Sequence, residues 1–132
     1  MTQESKLATF AGQSGSNPMK LVVATIRIYK LQDVQEALAK MGIAAFNVIE
    51  AKRSGPQKGP TVLHRGAEYT TRFVPKVQVE VVVSDDLVEK LVDAIAQAAR
   101  TREPGDGEII VTSIDLRVGI HTGKKDFETE TT

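Results

Sequence analysis

Hydrophobic and polar residues follow a strand-like pattern in four segments of the chain. KLVVATIRI at residues 20–28 is rich in β-branched residues, and KVQVEVVV at residues 76–83 alternates most regularly. AFNVIEAK at residues 45–52 and EIIVTSI at residues 108–114 follow the same pattern less strictly. The sequence therefore predicts four strands.

Two further segments place hydrophobic residues at the spacing of an amphipathic helix. In the first segment these residues are Leu31, Val34, Ala37, Leu38 and Met41. In the second segment they are Leu87, Val88, Leu91, Val92, Ile95, Ala98 and Ala99. Gly42 suits the C-terminal cap of the first helix, and Ser84 suits the N-cap of the second. The Pro-Gly-Asp-Gly sequence at residues 104–107 predicts a turn that ends the second helix.

The predicted order is strand, helix, strand, strand, helix, strand. This is the order of the ferredoxin-like α+β fold, in which two helices cover one face of an antiparallel sheet. The other face would turn valine-rich strands towards water, so we expect an oligomer to cover it. The fold by itself indicates no activity.

The segment between the second and third predicted strands, residues 54–69, follows neither period. It contains three Gly and two Pro. A loop of this length in a compact domain is either functional or disordered, and the pattern leaves both open. Residues 1–18 and 124–132 are polar, so we predict two flexible tails around one domain at residues 19–123.

Composition narrows the class of protein. The 132 residues fit one domain, and 17 basic residues balance 17 acidic ones, which argues against binding to nucleic acid or an anionic membrane. The chain has no cysteine, so it has no disulfides and no thiolate metal site. No hydrophobic run is long enough to insert into a membrane, and the first residues lack a signal-peptide pattern. We therefore expect a cytoplasmic protein.

Residues that could support catalysis are few. His64 and His121 lie far apart in the sequence and outside any metal or nucleophile motif. Asp85 and Asp86 are explained as favourable charges at a helix start. The glycine-rich turn at residues 101–108 could form an anion-binding concavity or an ordinary helix-to-strand turn. We therefore predict no catalytic residue and no metal site.

Several motifs occur in a fixed order along the chain. They are QKGPTVLHRGAEY at residues 57–69, FVPKVQVEVVVSDDLVEKLVDAIAQAART at residues 73–101 and PGDGEI at residues 104–109. Together with MKLVVATIRIYKLQDVQEALAKMGI at residues 19–43, they resemble the PII signal-transduction family. The resemblance implies a T-loop at about residues 54–72 and a B-loop at about residues 101–108. It also implies a homotrimer with three nucleotide clefts between subunits.

The resemblance further implies site residues. Those of the nucleotide cleft are Asn47, Gly55, Pro56, Glu80, Val82, Gly105, Asp106, Gly107, Glu108, Gly119 and His121. Those facing a small anion or effector are Arg53, Gln57, Lys58, Arg65 and Lys76. Gln57 matches a glutamine on the magnesium side of the T-loop, and Lys76 matches a lysine that usually contacts 2-oxoglutarate. Tyr69 matches a tyrosine that some bacteria uridylylate, and it is alternatively a partner contact.

The chain departs from the family pattern at three cationic positions. Glu108 stands where the B-loop usually has lysine, and Gly119 and His121 stand where two arginines usually reach the phosphates. A charge-assisted hydrogen bond contributes about 1.5–3 kcal/mol. The hypothesis that follows is a cleft that binds ADP or AMP more tightly than ATP and controls a transporter or enzyme through the T-loop. The altered phosphate site also resembles a divergent branch of the family associated with carboxysomes and bicarbonate transport, and this resemblance implies bicarbonate as a co-ligand.

Three other functions remain open. The first is a nitrogen-regulatory PII protein that responds to ATP, ADP and 2-oxoglutarate. The second is an adaptor trimer that has lost its ligand. The third is an enzyme on a ferredoxin-like scaffold, which no motif in the chain supports.

Overall fold

The computed structural model describes residues 18–56 and 71–126. Its main elements are β1 (Met19–Ile26), α1 (Leu31–Lys40), β2 (Asn47–Pro56), β3 (Thr71–Ser84), α2 (Val88–Ala99) and β4 (Gly107–Ser113). A hairpin of two short strands follows, β5 (Arg117–Val118) and β6 (Lys125–Asp126). A single 3-10 turn precedes each helix, at Ile28–Lys30 and at Asp85–Leu87.

The four long strands form one sheet in the order β2-β3-β1-β4, and all neighbours are antiparallel. This arrangement confirms the predicted ferredoxin-like α+β fold. The strand β1 lies between β3 and β4, with Ile26 opposite both Val77 and Gly107. The end of β1 therefore brings the start of β4 close to the middle of β3.

The core lies between one face of the sheet and the two helices. Alternate residues of β1 and β3 are buried there, and they pack against side chains that recur at helical spacing in α1 and α2. The fully buried members include Val22, Val79, Leu38, Leu91 and Ile95. Burying each such side chain contributes about 1.5–3 kcal/mol, so the pattern read from the sequence accounts for the position of the core.

Strand pairing between β2 and β3 continues further than the sequence pattern predicts. The second strand is predicted to end at Lys52, but pairing runs on to Pro56 opposite Thr71. Ser54, Gly55 and Pro56 give no hydrophobic signal, so only their partners on β3 reveal the strand. We call residues 53–56 and 71–74 the hairpin base.

Two smaller predictions are also corrected. Ser84 has the extended backbone of a cap residue, but its hydroxyl donates to the Asp86 carboxylate at 2.5 Å instead of accepting a helical N–H. The C-terminal tail is predicted to begin at residue 124, whereas Lys125 and Asp126 pair with β5. Gly42 does follow α1 with a positive φ of 78°, as predicted for a helix end.

The face of the sheet away from the helices carries hydrophobic side chains. Ile49 and Ile110 are 41% and 49% exposed there, and Leu21, Val23 and Val82 are partly buried. We call this surface the open face. Among the described helices, none combines the length and hydrophobicity that a membrane span requires.

Candidate functional site

A cavity of about 600 Å³ opens beside the hairpin base, where β3 passes the end of β1 and the start of β4. Four of its lining residues are basic, namely Arg27, Arg53, Arg72 and Lys76. Glu108 is the acidic residue that lines it. The cavity therefore combines an excess of positive charge with a concave shape, which suits a small anionic ligand.

Lys76 lies at the bottom of this cavity and is only 6% exposed. Its ammonium group donates a hydrogen bond of 2.7 Å to the carbonyl oxygen of Gly105. Burial lowers the pKa of Lys76, and repulsion from the charges of Arg27 and Arg53 lowers it further. The negative charge of Asp106 raises this pKa, but not enough to cancel the lowering. A further negative charge in the cavity would therefore stabilise the protonated form of Lys76.

Asp106 organises the turn that forms one wall of the cavity. Its carboxylate accepts hydrogen bonds from the backbone N–H groups of Thr101 and Arg102 at 2.8 and 2.9 Å, and also from the Thr101 hydroxyl. These bonds, with the guanidinium of Arg27, hold the pKa of Asp106 far below its usual range. The turn thus satisfies two of its own N–H donors with Asp106, which occupies part of the concavity predicted for an external anion.

Arg27 ties this turn to the sheet, and the hydrophobic periodicity of the sequence does not indicate this role. Its Nε donates to Asp106 Oδ1 at 3.0 Å, and its Nη2 donates to the Pro104 carbonyl oxygen at 2.9 Å. The residue directly follows β1, and the pairing of Ile26 with Gly107 brings it next to the turn. The predicted strand order contained this information, because in the ferredoxin-like order the end of the first strand meets the start of the last.

Arg53 and Glu108 form an ion pair of 2.9 Å at the rim of the cavity. Their side chains are 44% and 51% exposed. Glu108, which stands at the position where a lysine was expected by resemblance, therefore contacts a cation of the hairpin base. A pair this exposed contributes at most about 1 kcal/mol to stability.

The structure divides the predicted nucleotide and effector residues into separate groups. Arg53, Gly55, Lys76, Gly105, Gly107 and Glu108 line the cavity. Asn47 and Glu80 instead pair across β2 and β3 near their other ends, with Asn47 Nδ2 donating to Glu80 Oε1 at 3.3 Å. Val82 lies two residues further along the same face as Glu80. Along β3, Glu80 lies four residues from Lys76, or roughly 13 Å. Along β2, Asn47 lies six residues from Arg53, or roughly 20 Å, so the two groups occupy separate parts of the sheet.

The remaining predicted residues lie elsewhere. Gly119 and His121 belong to the connection between β5 and β6, where the N–H of Gly119 donates to the carbonyl oxygen of Lys124. Neither residue lines the cavity. Pro56 is placed by its backbone, at the end of β2. Gln57, Lys58, Arg65 and Tyr69 lie outside the described residues.

The arrangement suits binding of an anion. Among the described residues that line it, the cavity offers cations and backbone groups, and none of these residues is a cysteine or a histidine. Within residues 18–56 and 71–126, no three His, Cys, Asp or Glu side chains come together as a metal site requires.

Comparison with protein families gives a match over most of the chain. A family model described as nitrogen regulatory protein P-II matches residues 19–124. The nitrogen regulatory protein P-II of Azospirillum brasilense is 51% identical over 107 residues, which are 81% of this chain and 96% of that protein. Nitrogen regulatory protein P-II 1 of Escherichia coli K12 is 48% identical over 108 residues, covering 82% and 96% of the two chains.

Comparison with solved structures agrees. A structure of GlnK from B. subtilis superimposes with a TM-score of 0.70 and 26% sequence identity. The similarity covers 83% of this chain and 96% of that one. The relatives therefore span the described domain almost from end to end.

Proposed function

The chain belongs to the nitrogen regulatory protein P-II family, and on that premise we propose that it binds an adenine nucleotide in clefts between three copies of itself. Members of this family regulate other proteins and are not enzymes. The proposed role is thus control of a partner protein, whose identity the sequence leaves open. We place this role in the cytoplasm as part of the same proposal.

The observation that carries the proposal is the division of the site. The cationic cavity suits phosphates, whereas Asn47, Glu80 and Val82 offer a mixed polar and hydrophobic wall for a base. Along the strands the two groups are roughly 13 to 20 Å apart in one chain, so they form two separate parts of a site and not one closed cleft. A neighbouring copy that brings its own wall against this cavity would complete a cleft of suitable size.

The open face supplies a surface for such an assembly. Ile110 lies opposite Val23, which in turn lies opposite Glu80, so hydrophobic side chains run directly beside the proposed base wall. A monomer would leave these side chains in water, at a cost of about 25 cal/mol per Å² of hydrophobic surface. Burial of this face against neighbouring copies would therefore assemble the clefts at the same time.

We expect the chain to behave as a trimer of about 43 kDa, three times its 14.3 kDa mass, in analytical ultracentrifugation. Replacing Ile110 with aspartate should shift the population towards monomers, because the introduced carboxylate would have to be buried without a partner. Leu87, which is 38% exposed before α2, provides a control. Leu87→Asp makes the same chemical change away from the open face and should remain trimeric; a monomeric wild type would contradict the proposal.

The choice of ligand follows from the relatives and from the charge of the site. The relatives' names favour nitrogen regulation over the hypothesis of bicarbonate sensing. The effectors that the family resemblance implies for this role are ATP, ADP and 2-oxoglutarate. Lys76, buried among other cations, is the residue we propose for the carboxylate of such an effector. Glu108 at the rim opposes additional negative charge, so we propose that ATP binds more weakly than ADP or AMP.

Isothermal titration calorimetry of the purified protein tests this proposal directly. AMP, ADP and ATP are titrated separately, followed by Mg-ATP with 2-oxoglutarate and ADP with bicarbonate. We expect saturable binding of ADP and weaker binding of ATP. Tighter binding of ATP than of ADP would overturn only the argument that Glu108 disfavours ATP. If no adenine nucleotide binds at millimolar concentration, the result would favour a ligand-free adaptor.

A further inference from the structure

Three of the four basic residues that line the cavity have acceptors in residues 104–108. Arg27 donates to Asp106 and to the Pro104 carbonyl oxygen, and Lys76 donates to the Gly105 carbonyl oxygen. Arg53 donates to the carboxylate of Glu108. An anion entering the cavity therefore meets guanidinium and ammonium groups that are engaged with this segment of the same chain.

These contacts differ in how readily a ligand can replace them. Arg27 is held by two acceptors, and one of them, Asp106, is fixed in turn by Thr101 and Arg102. Lys76 is buried against a backbone carbonyl oxygen. The pair between Arg53 and Glu108 joins two long, half-exposed side chains that can rotate into solvent. It is therefore the contact that an external carboxylate or phosphate can exchange most easily.

The same pair connects two distant parts of the sheet. Arg53 is on β2 and Glu108 is on β4, the two edge strands, with β3 and β1 between them. In a flat sheet three strand spacings alone amount to roughly 14 Å, and Arg53 also lies several residues further along. Contact at 2.9 Å requires the hairpin base to bend across the open face towards β4.

We propose that Glu108 is a built-in competitor for the ligand anion: its carboxylate occupies Arg53 when the cavity is empty, and a phosphate or carboxylate of the ligand displaces it. The exchange releases the hairpin base from β4 when the ligand binds. Because a ligand shifts a conformation only through its different affinity for the two states, this exchange couples occupancy of the cavity to the position of the hairpin base. Glu108 also determines how much negative charge the cavity accepts.

This inference rests on the proposed function and is tested by a double-mutant cycle. Wild type, Glu108→Gln, Arg53→Gln and the double variant are titrated with ADP and, separately, with inorganic pyrophosphate at constant ionic strength. Glu108→Gln should tighten binding about tenfold, as expected when a unit charge a few ångströms away is neutralised. In the Arg53→Gln background, Glu108→Gln should tighten binding by less than about threefold, because the cation for which Glu108 and the ligand compete is absent.

Glu89→Gln is the matched control, since it removes the same charge from the exposed first turn of α2. Its affinities should stay within about twofold of wild type, because the helix start is far from the cavity. An unchanged affinity of Glu108→Gln, or equal gains in both backgrounds, would overturn the competition while leaving nucleotide binding intact. The predicted pattern with pyrophosphate but no binding of ADP would instead support the competition and overturn the proposed nucleotide function.

Discussion

Replacing Gly107 with alanine should lower the free energy of unfolding by about 3 kcal/mol or more, the largest effect we expect from a single methyl group in this chain. Gly107 has φ of 115°, a region that side chains rarely adopt. A Cβ at this position would lie 1.8 Å from the carbonyl oxygen of Thr25. Backbone would have to move to relieve this clash, and β4 begins at this residue.

Gly42 provides the control for the glycine prediction. Its φ of 78° is also positive, but a Cβ there would meet no atom within 4 Å. Gly42→Ala should therefore cost only the backbone strain, about 1 kcal/mol. Urea unfolding followed by circular dichroism measures both variants, and equal losses of stability would contradict the role of the close approach to Thr25.

Replacing Lys76 with methionine should weaken binding of 2-oxoglutarate, titrated in the presence of Mg-ATP, by about 10- to 100-fold, because a charge-assisted contact contributes about 1.5–3 kcal/mol. The stem of methionine occupies much of the same buried space, so the loss reports the charge more than the packing. Calorimetric titration measures the affinity. An affinity within twofold of wild type would show that Lys76 does not contact the ligand.

The pH dependence of stability provides an independent measure of the Lys76 charge. The folded-state pKa of Lys76 is lower than its ordinary value of 10.5, so the unfolded chain binds this proton more tightly than the folded chain. The protonated Lys76 therefore lowers the free energy of unfolding at neutral pH. This destabilisation disappears as the pH rises from the folded-state pKa towards 10.5. The stability of wild type relative to Lys76→Met should increase over that range, and a decrease would contradict the burial of a charged Lys76.

The fold could be predicted from the sequence because its core depends on alternation and helical spacing. The buried residues of β1 and β3 alternate, and those of α1 and α2 recur every three to four positions. The hairpin base gives no such signal, because Gly55 and Pro56 are strand residues only through their partners. The strands β5 and β6 have two residues each, which is too short for any periodicity to appear.

The candidate site was only partly predictable, for a different reason. The resemblance identified Lys76, Gly105 and Glu108, which do line one cavity. It did not indicate Arg27, whose role depends on which strand ends meet, nor the contact of Glu108 with Arg53. The resemblance thus indicated some of the residues that line the cavity, whereas the charge pairing within the cavity depends on the bending of the sheet.

The hydrogen bonds of Asp106 have a consequence for how this protein family can diversify. Asp106 anchors Thr101, Arg102 and Arg27, and the side chain at position 108 takes no part in these hydrogen bonds. A change from lysine to glutamate there inverts a charge at the cavity mouth while the supporting backbone is preserved. Evolution could thus adjust effector preference by single substitutions, without first acquiring compensating mutations in the scaffold.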